Sequence, residues 1–175
     1  EANKYRNTDF FRNEINKIKA LAKKTGCKNI TIHADQIEDF QFVLKTLGNE
    51  FNLCIENVRP KENFPNEKLI DLLDNNKNIF LTLDTAHAME FSLGELSSLY
   101  NKTKERIKQI HLSLTHNGRF HNFAHSCPDE NLKSSLNVLA KSSCPIVIEG
   151  GLREKFEKDL IINEINFIRS LFKTK

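Results

Sequence analysis

Five side chains that can bind a metal ion each stand at the end of a short apolar run. In chain order they are His33, Glu56, Asp84, His111 and Glu149. Carboxylate oxygens and imidazole nitrogens are common protein ligands of divalent ions. A single case would mean little, because a glutamate at a strand end usually hydrates and a lone strand histidine is usually a satisfied core residue. Five in order predict a site formed where parallel strands end.

The charge of this set indicates a cation. If the strands are neighbours, Glu56, Asp84, His111 and Glu149 point into one space. Three carboxylates about 4 Å apart would repel by roughly 4 kcal/mol per pair at an effective dielectric near 20. Three such pairs would offset most of the roughly 5–15 kcal/mol by which a domain is stable. The carboxylates must therefore take up protons, spread apart or bind a cation. This donor set suits Mn²⁺, Mg²⁺ or Co²⁺, and Zn²⁺ if further histidines join.

Alternating strand and helix patterns are expected to position these residues. Short apolar runs, partly β-branched, predict strands over residues 29–33, 52–56, 79–84, 107–112 and 145–149. Apolar spacings of three and four, with capping signals, predict helices between the strands and at both ends. The helices are expected over residues 8–25, 35–48, 66–75 and 152–172, and after the caps Ser92 and Asp129. Residues 57–65 and 115–129 are predicted as loops.

The order of these elements predicts an α/β fold with a parallel sheet covered by helices. Crossover connections between parallel strands are right-handed, so the carboxyl ends of all five strands lie on one side. That side is where α/β folds place their sites, in a closed barrel and in an open sheet alike. We expect residues 1–175 to form a single domain.

Composition excludes few partners. The chain has 175 residues, of which 39% are hydrophobic and 28% charged, as in an ordinary globular domain. A net charge of +3 neither demands nor excludes nucleic acid, since strong phosphate binding usually shows as a clustered basic stripe. No apolar run approaches the roughly 18 residues that span a bilayer, so no membrane partner is expected.

The cysteines favour a reducing compartment. Cys27, Cys54, Cys127 and Cys144 show no CxxC spacing, and Cys54 lies within a predicted strand. We therefore expect four reduced thiols and a cytoplasmic protein. Residue 1 is Glu, so we expect the chain to begin inside a longer gene product.

The strand-end motifs resemble those of the xylose-isomerase-like TIM barrels, which include sugar isomerases and epimerases and zinc-dependent apurinic endonucleases. The resemblance covers residue 29 to the chain end. Its motifs are Ile32-His33, Cys54-Ile-Glu-Asn57, Leu83-Asp-Thr-Ala-His87, Gln109-Ile-His-Leu112 and Val147-Ile-Glu-Gly150. It implies a partial (β/α)8 barrel with metal ligands Glu56, Asp84, His111 and Glu149. His33, His87 and His125 are implied for a second metal or for substrate, and Arg119 is a further candidate for contact with a substrate hydroxyl or phosphate.

Three departures from the family pattern bear on function. The family barrel has eight strands, and the five predicted here match its last five, so three βα units are expected to be absent. Leu114 stands where the family often has an aspartate. The endonuclease Asp-x-His pair is replaced by Phe123-Ala-His125, which has no carboxylate.

Three functions remain open. The first is a metal-dependent isomerase or epimerase of a sugar or sugar phosphate. There the ion would stabilise a cis-enediolate while Glu56 and Glu149 remove and return a proton. Gly150 and Gly151 after Glu149 would let the substrate come close. The second is an apurinic-endonuclease-like phosphodiesterase acting on nucleic acid, which is less favoured. The third is a non-catalytic, metal-binding barrel remnant or assembly module. A homo-oligomer of this chain is one assembly that such a module would form.

Overall fold

The computed structural model describes residues 4–151 and 158–172, without the side chain of Phe120. Its strands are β1 (Asn29–His33), β2 (Asn52–Glu56), β3 (Ile79–Asp84), β4 (Ile107–Leu112), β5 (Leu114–His116), β6 (Arg119–Asn122) and β7 (Ile146–Ile148). One parallel sheet has the order β1-β2-β3-β4-β7, and an antiparallel hairpin joins β5 to β6. This is a partial α/β TIM barrel, as the sequence predicts.

Helices connect the sheet strands. The α-helices are α1 (Asp9–Thr25), α2 (Phe40–Leu47), α3 (Asn66–Asn75), α4 (Thr85–Phe91), α5 (Glu95–Thr103), α6 (Glu130–Ser135) and α7 (Lys158–Phe172). Short 3-10 helices cover Ala34–Gln36, Gly48–Glu50, Pro60–Glu62, Lys104–Arg106 and Leu136–Lys141. Within the described ranges, no helix is both long enough and apolar enough to cross a membrane. None of the four cysteines forms a disulfide bond in the structure.

The chain divides into two compact units, Glu1–Thr82 and Leu83–Lys175. The first contains α1 to α3, β1, β2 and the first four residues of β3. Its fully buried side chains include Ile15, Leu47, Leu53, Ile55, Leu69 and Leu73. In the parallel register of β1 and β2, His33 lies opposite Glu56, so both predicted site residues stand at the last position of their strands. The prediction of a single domain stays a prediction.

The second unit contains the end of β3, α4 to α7, β4, the hairpin and β7. Its core includes Leu83, Leu96, Leu99, Ile110, Leu112 and Leu136. Asp129 caps α6, since its carboxylate accepts hydrogen bonds from the amides of Asn131 and Leu132, as the sequence predicts. The 3-10 helix that follows then buries Leu139.

Two predicted helix starts are wrong. Asp35 lies in a 3-10 turn, and Asp39 caps α2 instead by accepting a hydrogen bond from the amide of Phe42. The chain is extended at Ile37 because Tyr5 bridges to it there. Ser92 makes no side-chain cap, since α5 begins after Gly94 and the Ser92 backbone carbonyl accepts the amide of Glu95.

Two further elements differ from the prediction. Helix α4 follows β3 directly, and the hairpin of β5 and β6 occupies part of the predicted loop 115–129. The Asn117-Gly118 turn explains the hairpin, because both residues have positive φ, 52° and 72°. The predicted final helix is present from Lys158, and its predicted first residues, 152–157, lie outside the described residues.

Candidate metal centre

Four residues predicted as metal ligands come together. Each of Glu56, Asp84, His111 and Glu149 offers one ligand atom, and these atoms all lie within 4.8 Å of one another. Glu56, Asp84 and His111 are buried, and Glu149 is half-buried. Burial removes much of the water that would otherwise solvate the carboxylates, so their charge must be balanced by protein groups or by a cation.

The backbone at the end of β3 fixes Asp84. This residue ends the strand and is also the N-cap of α4, where its Oδ1 accepts a 2.7 Å hydrogen bond from the amide of His87. The carboxylate is completely buried. A single side chain therefore stabilises the helix start and keeps a carboxylate oxygen in the ligand cluster.

The imidazole of His111 is held from both nitrogens. Nδ1 lies 2.8 Å from Oε1 of Glu149, and Nε2 lies 2.7 Å from the side-chain nitrogen of Gln109. Gln109 and His111 are two residues apart on β4, so their side chains leave the same face of the strand. The strand thus supplies both the candidate ligand and a partner that orients it.

Glu149 immediately follows β7, and its amide donates to the carbonyl of Leu112 at the end of β4. Burial by itself raises the pKa of its carboxyl. The hydrogen bond and charge of His111, a hydrogen bond with Asp84 and the charge of His121 outweigh burial and lower the pKa below its ordinary value. Glu149 is therefore ionised at neutral pH.

The donor set fits a divalent cation. Glu56, Asp84 and Glu149 bring three carboxyl groups together, and their like charges repel unless a proton or a cation lies among them. A divalent ion would reduce this repulsion for all three carboxylates together. Three carboxylates and one imidazole are ligands that Mn²⁺, Mg²⁺, Co²⁺ and Zn²⁺ all accept, so the residues do not fix the ion's identity.

The residues predicted for a second metal or for substrate lie in different surroundings. His33 is partly exposed, with Nε2 3.6 Å from Oε2 of Glu56 and Nδ1 3.9 Å from Oδ1 of Asp35. His87 is buried, and its Nδ1 lies 3.8 Å from Oδ1 of Asp84. Arg119 is an exposed residue of the hairpin, at its turn. Within the described residues, none of the three joins the four-residue ligand cluster.

His125 has a different partner. Its Nδ1 lies 2.9 Å from Oε2 of Glu164, a completely buried residue of α7. His125 is also outside the ligand cluster as far as the described residues show. Its backbone and ring are thus tied to the last helix.

His121 also lies beside the candidate metal centre, although it is not one of the strand-end residues. Its Nδ1 lies 3.7 Å from Oε2 of Glu149 and 3.1 Å from the hydroxyl of Ser113, and its ring centroid is 5.8 Å from that of His87. The hairpin carries His121 to this place, with a positive φ of 56°. The Asn117-Gly118 pair was the one sequence signal that could have indicated the hairpin.

These observations define the fold. The chain has the fold of the xylose-isomerase-like TIM barrels, with a candidate metal centre at the carboxyl ends of its strands. No protein-family model matches the chain, and no curated protein sequence matches it. The assignment of the fold therefore rests on structural similarity.

Two solved structures show that similarity. One is a crystal structure of AsfvAP:AG, an AP-endonuclease-like structure, with a TM-score of 0.65 and 17% identity over 97% of this chain and 70% of that one. The other is a xylose isomerase domain protein from Planctomyces limnophilus, with a TM-score of 0.61 and 15% identity over 93% of this chain and 64% of that one. At these identities the likeness shows the fold alone.

Proposed function

We propose that this chain is a divalent-metal-dependent enzyme of the sugar isomerase or epimerase type. The observation that carries the proposal is the meeting of three carboxylates and one imidazole within 4.8 Å. In the proposal, Glu56, Asp84, His111 and Glu149 hold the ion. The substrate class is a small sugar or sugar phosphate.

The proposed chemistry is transfer of a proton between carbon atoms or between the two faces of one carbon. A bound divalent ion supplies Lewis acidity that polarises a substrate carbonyl and makes the neighbouring C–H bond more acidic. Glu149 is the proposed base, because its lowered pKa leaves the carboxylate ionised and able to accept that proton. Glu56, which is buried, is the proposed group that returns a proton.

Substrate contacts are assigned to the histidines around the cluster and to the hairpin. His87 is buried beside His121, and both have a carboxylate of the cluster within 4 Å. In this proposal their ring nitrogens bind substrate hydroxyl groups. Arg119 is exposed, which suits contact with a substrate phosphate. His33, next to Glu56, is a second candidate for a hydroxyl.

An apurinic-endonuclease-like phosphodiesterase is the second candidate. The observation in its favour is that imidazoles of His87 and His121 lie beside Asp84 and Glu149, so further zinc ions could be held near the first. The net charge of +3 gives little attraction for a nucleic acid backbone, which is why this candidate ranks second.

Deuterium exchange tests the first proposal without knowledge of the exact substrate. The protein, loaded in turn with Mn²⁺, Co²⁺ or Zn²⁺, is incubated in D₂O with a panel of aldoses, ketoses and their phosphates. NMR then follows the carbon-bound hydrogens next to the carbonyl. We expect exchange with at least one sugar, and none after Glu149→Gln. Glu105→Gln is the matched control, since Glu105 is exposed and precedes the start of β4.

The outcomes separate the candidates. A metal-loaded protein that exchanges no hydrogen on any sugar contradicts the isomerase proposal and leaves a metal-binding module. Cleavage of duplex DNA at an abasic site, with two or three zinc ions per chain, favours the phosphodiesterase. Full exchange by the Glu149→Gln variant would show that Glu149 is not the base.

A further inference from the structure

Glu164 is a completely buried carboxylate on a helix that otherwise carries apolar and exposed residues. Its Oε1 accepts the amide of Ala124 at 2.9 Å, and its Oε2 accepts the amide of His125 at 2.8 Å. Oε2 also lies 2.9 Å from Nδ1 of His125. Burial of a carboxylate is costly unless several donors surround it. Three donors from one loop meet that need.

The loop that begins at Phe123, after β6, lies next to the candidate metal centre. His121, near the end of β6, has its Nδ1 3.7 Å from Oε2 of Glu149, and its carbonyl accepts the amide of Gly151 at 2.7 Å. Phe123 packs closely against Gly150, because a Cβ added at Gly150 would lie 2.8 Å from the Phe123 ring. Glu164 thus secures, from the helix side, a loop that on its other side contacts the segment after Glu149.

We propose that Glu164 is a positioning residue, which fixes the loop at Ala124 and His125 and holds His125 with its proton on Nδ1. A neutral imidazole that donates from Nδ1 has its lone pair on Nε2. Nε2 is then the atom that accepts a hydrogen bond from a substrate hydroxyl. The role of Nε2 rests on the proposed function, whereas the fixed tautomer and the fixed loop do not.

The tautomer can be measured in the metal-free protein. With ¹⁵N-labelled histidine at a pH where the ring is neutral, we expect the NMR signals of His125 to show a protonated Nδ1 and an unprotonated Nε2. Free imidazole side chains prefer the opposite tautomer. A His125 signal with the proton on Nε2 in the wild-type protein would overturn the proposal, and this readout needs no variant to fold.

Glu164→Leu tests the cause. The leucine side chain has no acceptor atom, so Nδ1 of His125 loses its partner. We expect the Nδ1–H preference of His125 to be lost, while Asp159→Asn, which changes an exposed carboxylate of the same helix, leaves it intact. A folded Glu164→Leu variant with an unchanged tautomer contradicts the proposal.

His125→Asn separates the two parts of the proposal, which are the anchoring of the loop and the acceptor role of Nε2. The asparagine NH₂ group can donate to Glu164 and keep the loop in place, but it offers nothing in place of Nε2. We expect this variant to keep the melting temperature and the Mn²⁺ affinity of the wild type and to lose about 10–100-fold in turnover. An unchanged turnover contradicts the assignment of Nε2. If the wild type binds no Mn²⁺, the proposed function fails while the tautomer result stands by itself.

Discussion

Nδ1 of His111 lies 2.8 Å from Oε1 of Glu149, and the other nitrogen of the ring faces the side-chain amide of Gln109 at 2.7 Å. Nδ1 of His111 therefore faces Glu149, another member of the ligand cluster. An imidazole that binds an ion through Nδ1 carries its proton on Nε2 and needs an acceptor there. Gln109 can be that acceptor, because a 180° rotation of its side-chain amide group places Oε1 next to Nε2 of His111.

Gln109 is therefore expected to support metal binding from outside the ligand set. Gln109→Leu removes the acceptor at similar size and should weaken Mn²⁺ binding about 10-fold or more, as loss of an outer partner of a ligating histidine usually does. Gln109→Glu keeps an acceptor and is the control, expected to retain affinity. Titration calorimetry measures both. Equal affinities for Gln109→Leu and the wild type would show that Gln109 has no such role.

The lowered pKa of Glu149 predicts how acid affects stability. Its pKa lies below the ordinary 4.5 in the folded protein, so its contribution to the free energy of unfolding is complete above 4.5 and is lost as the pH falls through the lowered value. In metal-free protein, the stability advantage of the wild type over Glu149→Gln should therefore shrink below pH 4.5. Chemical denaturation across this range measures it.

The control for this prediction is Glu105→Gln, which changes an exposed carboxylate of the same unit. Its difference from the wild type should stay nearly constant with pH. A wild-type advantage over Glu149→Gln that grows on acidification would contradict the direction of the pKa shift.

Two histidines of the hairpin should behave differently. His121 is held by Ser113 beside Glu149, whereas His116 lies opposite Arg119 at the hairpin turn. His121→Ala should reduce sugar turnover or, in the second candidate function, binding of additional zinc. His116→Ala should be nearly silent in both assays. A large loss from His116→Ala would mean that the wrong strand of the hairpin has been assigned to the site.

Gly151 is expected to be irreplaceable for a steric reason. It has a φ of 77°, and a Cβ at this position would overlap the ring of Phe123. Gly151→Ala should therefore destabilise the protein by about 1–3 kcal/mol through overpacking, in addition to backbone strain. Gly26→Ala is the matched control, because Gly26 has a φ of 70° with open space around it.

Thermal or chemical unfolding compares the two glycine variants. We expect Gly151→Ala to lose more stability than Gly26→Ala, and the loss caused by Gly151→Ala to be smaller when it is measured in a Phe123→Ala background. Equal losses in the two single variants would mean that Phe123 does not limit the space at Gly151.

Four of the five sheet strands could be placed from the sequence to the residue. Their short apolar runs are bounded by polar residues. Glu56 and Asp84 are the last residues of β2 and β3, and His111 is the next-to-last residue of β4. Because parallel strands end on one side, their order alone predicts that these side chains meet. The four-residue ligand cluster follows from that logic.

The missing parts depend on contacts between distant segments. Asp84 serves as both candidate ligand and helix cap, and a ligand pattern alone does not indicate that a helix begins there. Glu164 looks in the sequence like any polar residue of an amphipathic helix, because its partner amides are 39 and 40 residues away. The position of His121 depends on a hairpin whose strands are mostly polar, so periodicity gave no signal.

Anomalous X-ray scattering from a crystal of the protein soaked in Mn²⁺ tests most directly whether the four residues of the ligand cluster bind one ion. We expect one anomalous peak within about 2.0–2.6 Å of a carboxylate oxygen from each of Glu56, Asp84 and Glu149 and of Nδ1 of His111. A peak elsewhere, or none among these four residues, would contradict this expectation.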